Sequence, residues 1–191
     1  CAKTNKKAMV LAGAKNTMIV AKDANLKGFA ENFKNACFGA AGQRCMAAAN
    51  VAVEEEIYDK EKEVMLDVAK SVKVGDALDE SVYMGPVISP GAIARIHNYI
   101  DIGLEEGCTL LLDGRNPELP EKNKNGYFIA PTILEGVTPD MRVAKEEIFG
   151  PVVTLIKIKS YKDGMQIIND SEYGNGGCLF TESAIVAQDF L

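Results

Sequence analysis

One cysteine is set apart by its surroundings. Cys45 closes the run Gly39-Ala40-Ala41-Gly42-Gln43-Arg44-Cys45, between a stretch of helical periodicity and one of strand character. Small residues let the backbone turn tightly and let a ligand come close. A thiolate held on such a bend is a nucleophile. Arg44 could favour the thiolate, although neighbours in sequence need not face each other. The competing reading is a buried core cysteine, the commoner fate of a free thiol, and pattern alone favours it.

Two further runs could serve such a site. In Glu146-Glu147-Ile148-Phe149-Gly150-Pro151 a carboxylate precedes an aromatic and a Gly-Pro turn, just before an apolar run. A carboxylate there can accept hydrogen bonds from ribose hydroxyls, and an aromatic can line a flat ring. A solvated helix end followed by a core Phe fits the pattern equally well. In Leu11-Ala12-Gly13-Ala14-Lys15-Asn16, small residues suit close approach to a ligand or to the cysteine loop, while a plain turn is the simpler reading. That run lacks the spacing of a phosphate-binding P-loop. Tyr173-Gly174-Asn175-Gly176-Gly177 reads as a glycine-rich turn whose glycines serve positive backbone angles or close packing.

Other chemistries are disfavoured. His97 is the only histidine, so a triad or metal site needing two is ruled out. The five cysteines contain no CxxC pair, which argues against a disulfide scaffold and a cysteine-rich zinc site; no metal is expected. The net charge is -6 with both signs interspersed, which disfavours nucleic acid or an anionic membrane as partner. No apolar stretch approaches the roughly 20 residues of a membrane span. A cytoplasmic location is the expectation. The chain opens with Cys1 instead of Met and reads as excised from something longer.

Segments of strand and helix character alternate and must position these runs. Residues 17–20, 50–53, 109–112, 132–134, 152–158 and 177–181 read as strands. Asp23 can cap a helix whose apolar stripe is Leu26, Phe29, Ala30, Phe33 and Cys37. Residues 56–69 read as a helix with Val64, Met65 and Val68 inward. Residues 75–90 read as loop, and Ile93, Ile96, Ile100 and Leu104 mark another helix. A polar surface loop covers 115–128, and helices follow at 161–169 and 182–191. This alternation predicts an α/β fold, a three-layer α/β/α arrangement around a mostly parallel sheet.

Phe38-Gly39-Ala40-Ala41-Gly42-Gln43-Arg44-Cys45 and Lys145-Glu146-Glu147-Ile148-Phe149-Gly150-Pro151-Val152, in that order and with residues 74–86 between them, resemble the aldehyde dehydrogenase superfamily. The resemblance runs from about residue 3 to the end. It implies that residues 1–191 form the nucleophile-bearing catalytic domain, with most of the NAD-binding domain and the oligomerisation strand lying elsewhere. It implies that Cys45 attacks a small aldehyde to give a thiohemiacetal and then a thioacyl-enzyme, its backbone N–H forming half of an oxyanion hole. The resemblance implies that an Asn side chain upstream of this chain supplies the other half. Glu147 matches the residue that binds the nicotinamide ribose, Phe149 the aromatic beside the nicotinamide, and Gly13 falls in the matching cofactor-side segment. NAD is the implied cofactor, with NADP also open, and the intact protein is implied to be a homo-oligomer.

One departure is informative. The family's usual water-activating glutamate is matched here by Leu11, which cannot act as a base. Transfer to a thiol, with coenzyme A as co-substrate, then becomes attractive, as in the methylmalonate-semialdehyde dehydrogenase branch. Gly13-Ala14-Lys15-Asn16, Gly42-Gln43-Arg44-Cys45-Met46 and Tyr173-Gly174-Asn175-Gly176 are similar to that branch. A hydrolytic enzyme with another base and a non-catalytic α/β interaction module are the alternatives. The chain alone is expected to bind NAD weakly and turn over poorly.

Overall fold

The structure, a computed structural model, describes residues 2–8, 10 and 12–191. Among these, strands β1 (Asn16–Val20), β2 (Ala48–Glu54), β3 (Thr109–Leu112), β4 (Thr132–Glu135), β5 (Val152–Ile158) and β6 (Gly177–Phe180) form one sheet in the order β3-β4-β5-β2-β1-β6. Every pairing is parallel except β3 with β4. The central strands β1, β2 and β5 are buried almost throughout. They read as near-continuous apolar runs because helices cover both faces of a parallel sheet.

Side-chain alternation assigns those helices to layers. Thr17, Asn50, Thr154 and Leu134 are register partners and share one face; Met18, Val51, Leu155 and Glu135 share the other. On the second face lie α1 (Leu26–Phe38), whose Phe29 ring meets Phe180 edge-on at 5.3 Å, and α2 (Tyr58–Lys70), whose Tyr58 hydroxyl reaches Glu135. On the first face lie α3 (Pro90–Glu105), where Gly103 packs on Leu134, and α5 (Tyr161–Asn169), where Gly164 packs on Ile19. The short α4 (Arg142–Lys145) and the last helix α6 (Ala184–Phe190) complete the described elements. The expected three-layer arrangement is therefore present.

Local details differ from the sequence reading for identifiable reasons. Asn25, not Asp23, caps α1: its side chain accepts from the Gly28 N–H, while Asp23 accepts from the Thr181 hydroxyl at 2.8 Å. Asparagine and aspartate cap almost equally well, so position decided between them. In α2 Met65 is buried but Val64 and Val68 only partly, and Tyr58, Glu61 and Ala69 take the other inward places. Leu104 turns outward, and Ile102 and Gly103 replace it at the core. α4 has too few residues to show periodicity.

At the carboxyl edge of the sheet one carboxylate joins three elements. Glu54, buried at the end of β2, accepts from the Lys22 N–H at 2.8 Å and the Tyr161 N–H at 2.6 Å. One carboxylate thus satisfies backbone donors that follow β1 and open α5, groups that would be costly to bury unpaired.

Candidate functional site

The residues singled out by chemistry gather at the opposite edge. The loops that enter β1, β2, β5 and β6 all lie at the amino ends of parallel strands. Open α/β sheets usually bind ligands outside the carboxyl ends; here Glu54 bridges the carboxyl end of β1 to the start of α5. A cavity of about 410 Å³ at the amino edge is lined by Ala12, Gly13, Ala14, Cys45, Arg95, Glu147, Phe149 and Asn175. Its volume falls in the lower part of the ligand-pocket range of roughly 300–1,000 Å³. Cys45, Glu147, Phe149 and Gly13 therefore face one space.

Cys45 is presented by an unusual turn. After α1 the chain makes a 3₁₀ turn, Gly39–Gly42, in which Ala40 (φ 51°) and Ala41 (φ 54°) are left-handed, as is Gly42 (φ 67°). Each non-glycine residue in that region costs about 1–2 kcal/mol, so the surroundings must hold the bend. Gly42 meets Gly150, where an added Cβ would stand 2.3 Å from the carbonyl oxygen. The Arg44 guanidinium turns back onto the carbonyls of Asn35 and Ala36 near the end of α1. It is thus a clamp on the helix terminus, and the idea that it favours a Cys45 thiolate gains no support from these contacts. Cys45 is exposed, which removes the core-cysteine reading.

The carbonyl of Cys45 is gripped from two sides. Asn16, buried at the start of β1, donates from Nδ2 to the Cys45 and Ala47 carbonyls, both at 2.9 Å. Asn175, on the turn before β6, donates to the same Cys45 oxygen. The pairing shifts register here, Asn16 with Ala48 but Thr17 with Asn50, which leaves Ala49 of β2 as the extra residue, an irregularity often found beside functional sites.

The Glu147–Phe149 segment is pinned as closely. Glu147 Oε1 accepts from the Ala14 N–H at 3.0 Å, joining it to the Gly13 loop. Arg95 donates to the Ile148 carbonyl at 2.9 Å and Gln43 Nε2 to the Phe149 carbonyl at 3.3 Å. Gln43 Oε1 accepts from the Ile88 N–H. Phe149 has φ 55°, another strained residue at the cavity wall, and is 36% exposed, whereas Ile148 is the buried member of the motif. Strain of this kind collects at functional sites. Gly13 packs on Tyr173, where an added Cβ would lie 2.8 Å from the ring.

Charges stand behind this wall. Glu146 accepts from Arg142 and from the Tyr99 hydroxyl at 2.6 Å; these bonds hold its carboxyl down to about 2 and help push Tyr99 up to about 12, where burial acts first. Lys15 is buried, its Nζ has no hydrogen-bond partner among the described residues, and burial lowers it to about 7 against the attraction of Glu147 and Glu146. Burial pushes Cys37 and Cys108 up, whereas Cys178 lies exposed on β6 and does not line the Cys45 cavity. A larger cavity of about 1030 Å³ between α4 and α5 has Lys15, Thr17 and Asn50 among its lining residues and no cysteine.

Sequence reasoning missed Arg95, Gln43 and the paired Asn16 and Asn175 as site-builders. Asn16 and Asn175 stood in motifs already singled out, but their convergence on one carbonyl needs the parallel pairing of β1 with both β2 and β6. Leu11, read as replacing a base, lies outside the described residues.

Comparisons with known proteins match nearly the whole chain. The model of the "Aldehyde dehydrogenase family" matches residues 1–191. Malonate-semialdehyde dehydrogenase 2 of Bacillus mycoides is 41% identical over 189 residues, 99% of this chain and 39% of the relative. Malonate-semialdehyde dehydrogenase of Bacillus velezensis is 45% identical over 179 residues, 94% of this chain and 36% of the relative. Among solved structures, a putative methylmalonate-semialdehyde dehydrogenase from Sinorhizobium meliloti complexed with NAD matches with TM-score 0.91 at 36% identity, over 99% of this chain and 38% of its own. Methylmalonate-semialdehyde dehydrogenase from Oceanimonas doudoroffii matches with TM-score 0.90 at 35% identity, over 94% and 37%. The chain thus spans well under half the length of these relatives.

Proposed function

This chain belongs to the aldehyde dehydrogenase family, and from that premise we propose that it carries the nucleophile of an NAD-dependent semialdehyde oxidation that passes its acyl group to coenzyme A. The observation that carries the reading is the exposed Cys45 on a strained small-residue bend, sharing one cavity with Glu147, Phe149 and Gly13.

The Cys45 thiolate forms the S–C bond to the aldehyde carbon, and the carbonyl oxygen gains the negative charge. The Cys45 backbone N–H is the donor assigned to that oxygen, and the carbonyl on the other side of the same α-carbon is held by Asn16 and Asn175. NAD, when bound, accepts the hydride that leaves the thiohemiacetal carbon. The residues suit its nicotinamide half: Glu147 offers a carboxylate to ribose hydroxyls, Phe149 an aromatic wall, and Gly13 an approach without a side chain. The cavity suits only part of a dinucleotide, in keeping with a cofactor-binding region outside residues 1–191.

The thioacyl on Cys45 is then discharged by the thiol of coenzyme A, giving an acyl-CoA and the free cysteine. Leu11 at the usual base position supports thiol over water as acceptor, and the relatives named for malonate semialdehyde support a semialdehyde substrate. Acylating the chain with a p-nitrophenyl ester bypasses the oxidation and tests both halves. A burst absent in C45A, and acyl-Cys45 discharged roughly tenfold faster by coenzyme A than by buffer, is the expected result. Equal discharge in both would favour hydrolysis.

A further inference from the structure

Resting on the reading of Cys45 as nucleophile, we propose that Asn175 is a positioning residue, one jaw of a two-asparagine clamp that fixes the angle at which the Cys45 sulfur meets a carbonyl carbon. A carbonyl oxygen has two lone pairs, and the Cys45 oxygen receives Asn16 Nδ2 and Asn175 Nδ2. With both engaged, the Cys45–Met46 peptide plane is held, which restricts the backbone from which Sγ projects.

The two jaws are not equivalent. Asn16 is buried, and its Nδ2 is also committed to the Ala47 carbonyl, so it is part of the frame. Asn175 is half-buried, lines the cavity with Cys45, and sits in the glycine-rich turn that leads into β6. That turn is seated against the cysteine loop: Asn175 Nδ2 also lies 3.5 Å from the Met46 sulfur, and an added Cβ on Gly176 would stand 3.1 Å from Met46 Cε. The entry to β6 therefore reaches across β1 to set the nucleophile. Because both donors are neutral amides aimed at the carbonyl, the clamp acts on geometry and leaves the thiol's acidity to other groups.

The test separates geometry from acidity. Binding of a trifluoromethyl ketone, followed by ¹⁹F NMR, reports the thiohemiketal on Cys45 and depends on the angle of attack. Alkylation by iodoacetamide, followed by peptide mass spectrometry, reports the thiolate with little demand on angle. N175A removes the amide, N175L keeps its volume without an N–H donor or a charge, and thermal unfolding checks that each variant folds. In folded N175A and N175L the hemiketal constant is expected to fall roughly tenfold or more, with alkylation within about twofold of wild type. An unchanged hemiketal constant in both variants overturns the clamp, and so does a parallel fall in alkylation. If wild type and C45S alike form no adduct, the nucleophile reading itself fails, and the clamp with it.

Discussion

The α-carbon of Gly42 lies so near Gly150 that an added Cβ would stand 2.3 Å from its carbonyl oxygen. This contact joins the loop that ends in Cys45 to the loop that carries Glu147 and Phe149, 108 residues further along from Gly42 to Gly150 (150 − 42). Placing a side chain there must separate the two loops or break the left-handed turn. G42A is expected to lose about 1–3 kcal/mol of stability in urea titration. Cys45 labelling should lose its selectivity over Cys178 in the variant that still folds. An unchanged unfolding midpoint would show that the contact is not needed.

Glu147 bonds to Ala14 across 133 residues. A hydrogen bond to a charged group is worth roughly 1.5–3 kcal/mol, so E147A should speed hydrogen exchange at the Ala14 amide by at least about tenfold. E147Q keeps an acceptor oxygen and should retain most of the protection. Amide exchange by NMR checks both; equal exchange in E147A and wild type would contradict the assignment.

Lys15 gives a pH dependence of definite sign. Burial lowers it from 10.5 to about 7, so between those values the unfolded chain binds a proton that the folded chain lacks. Stability due to this group therefore rises with pH across that window, by at most about 1.4 kcal/mol per pH unit, and is flat below it. Urea midpoints at pH of about 7 and 9.5 should increase for wild type relative to K15M. A variant with the same slope as wild type would remove Lys15 as the cause.

The elements were legible where periodicity or continuous burial was strong. The stripe Phe29, Phe33 and Cys37 and the apolar runs of β1, β2 and β5 follow directly from packing between layers. The four-residue α4 and the choice between Asp23 and Asn25 were not legible, because position in space settles a cap and so short a helix carries no period. At the site, residue types pointed to Cys45, Glu147, Phe149 and Gly13, and the topology brings all four to one cavity. The edge on which they meet, and the struts Asn16, Asn175, Gln43 and Arg95, depend on strand order, which spacing along the chain does not encode.

Nothing tests the central claim more directly than finding which sulfur an electrophilic aldehyde captures. The chain would be treated with an aldehyde-bearing alkylating agent at neutral pH, digested, and its cysteine peptides quantified by mass spectrometry. Cys37 and Cys108 are buried and raised by that burial, Cys178 is exposed but lies off the cavity, and Cys45 alone among these four lines the cavity with Glu147 and Phe149. The account predicts modification first and mainly at Cys45, lost in C45S. Labelling of Cys178 or Cys37 as fast as Cys45 would contradict it.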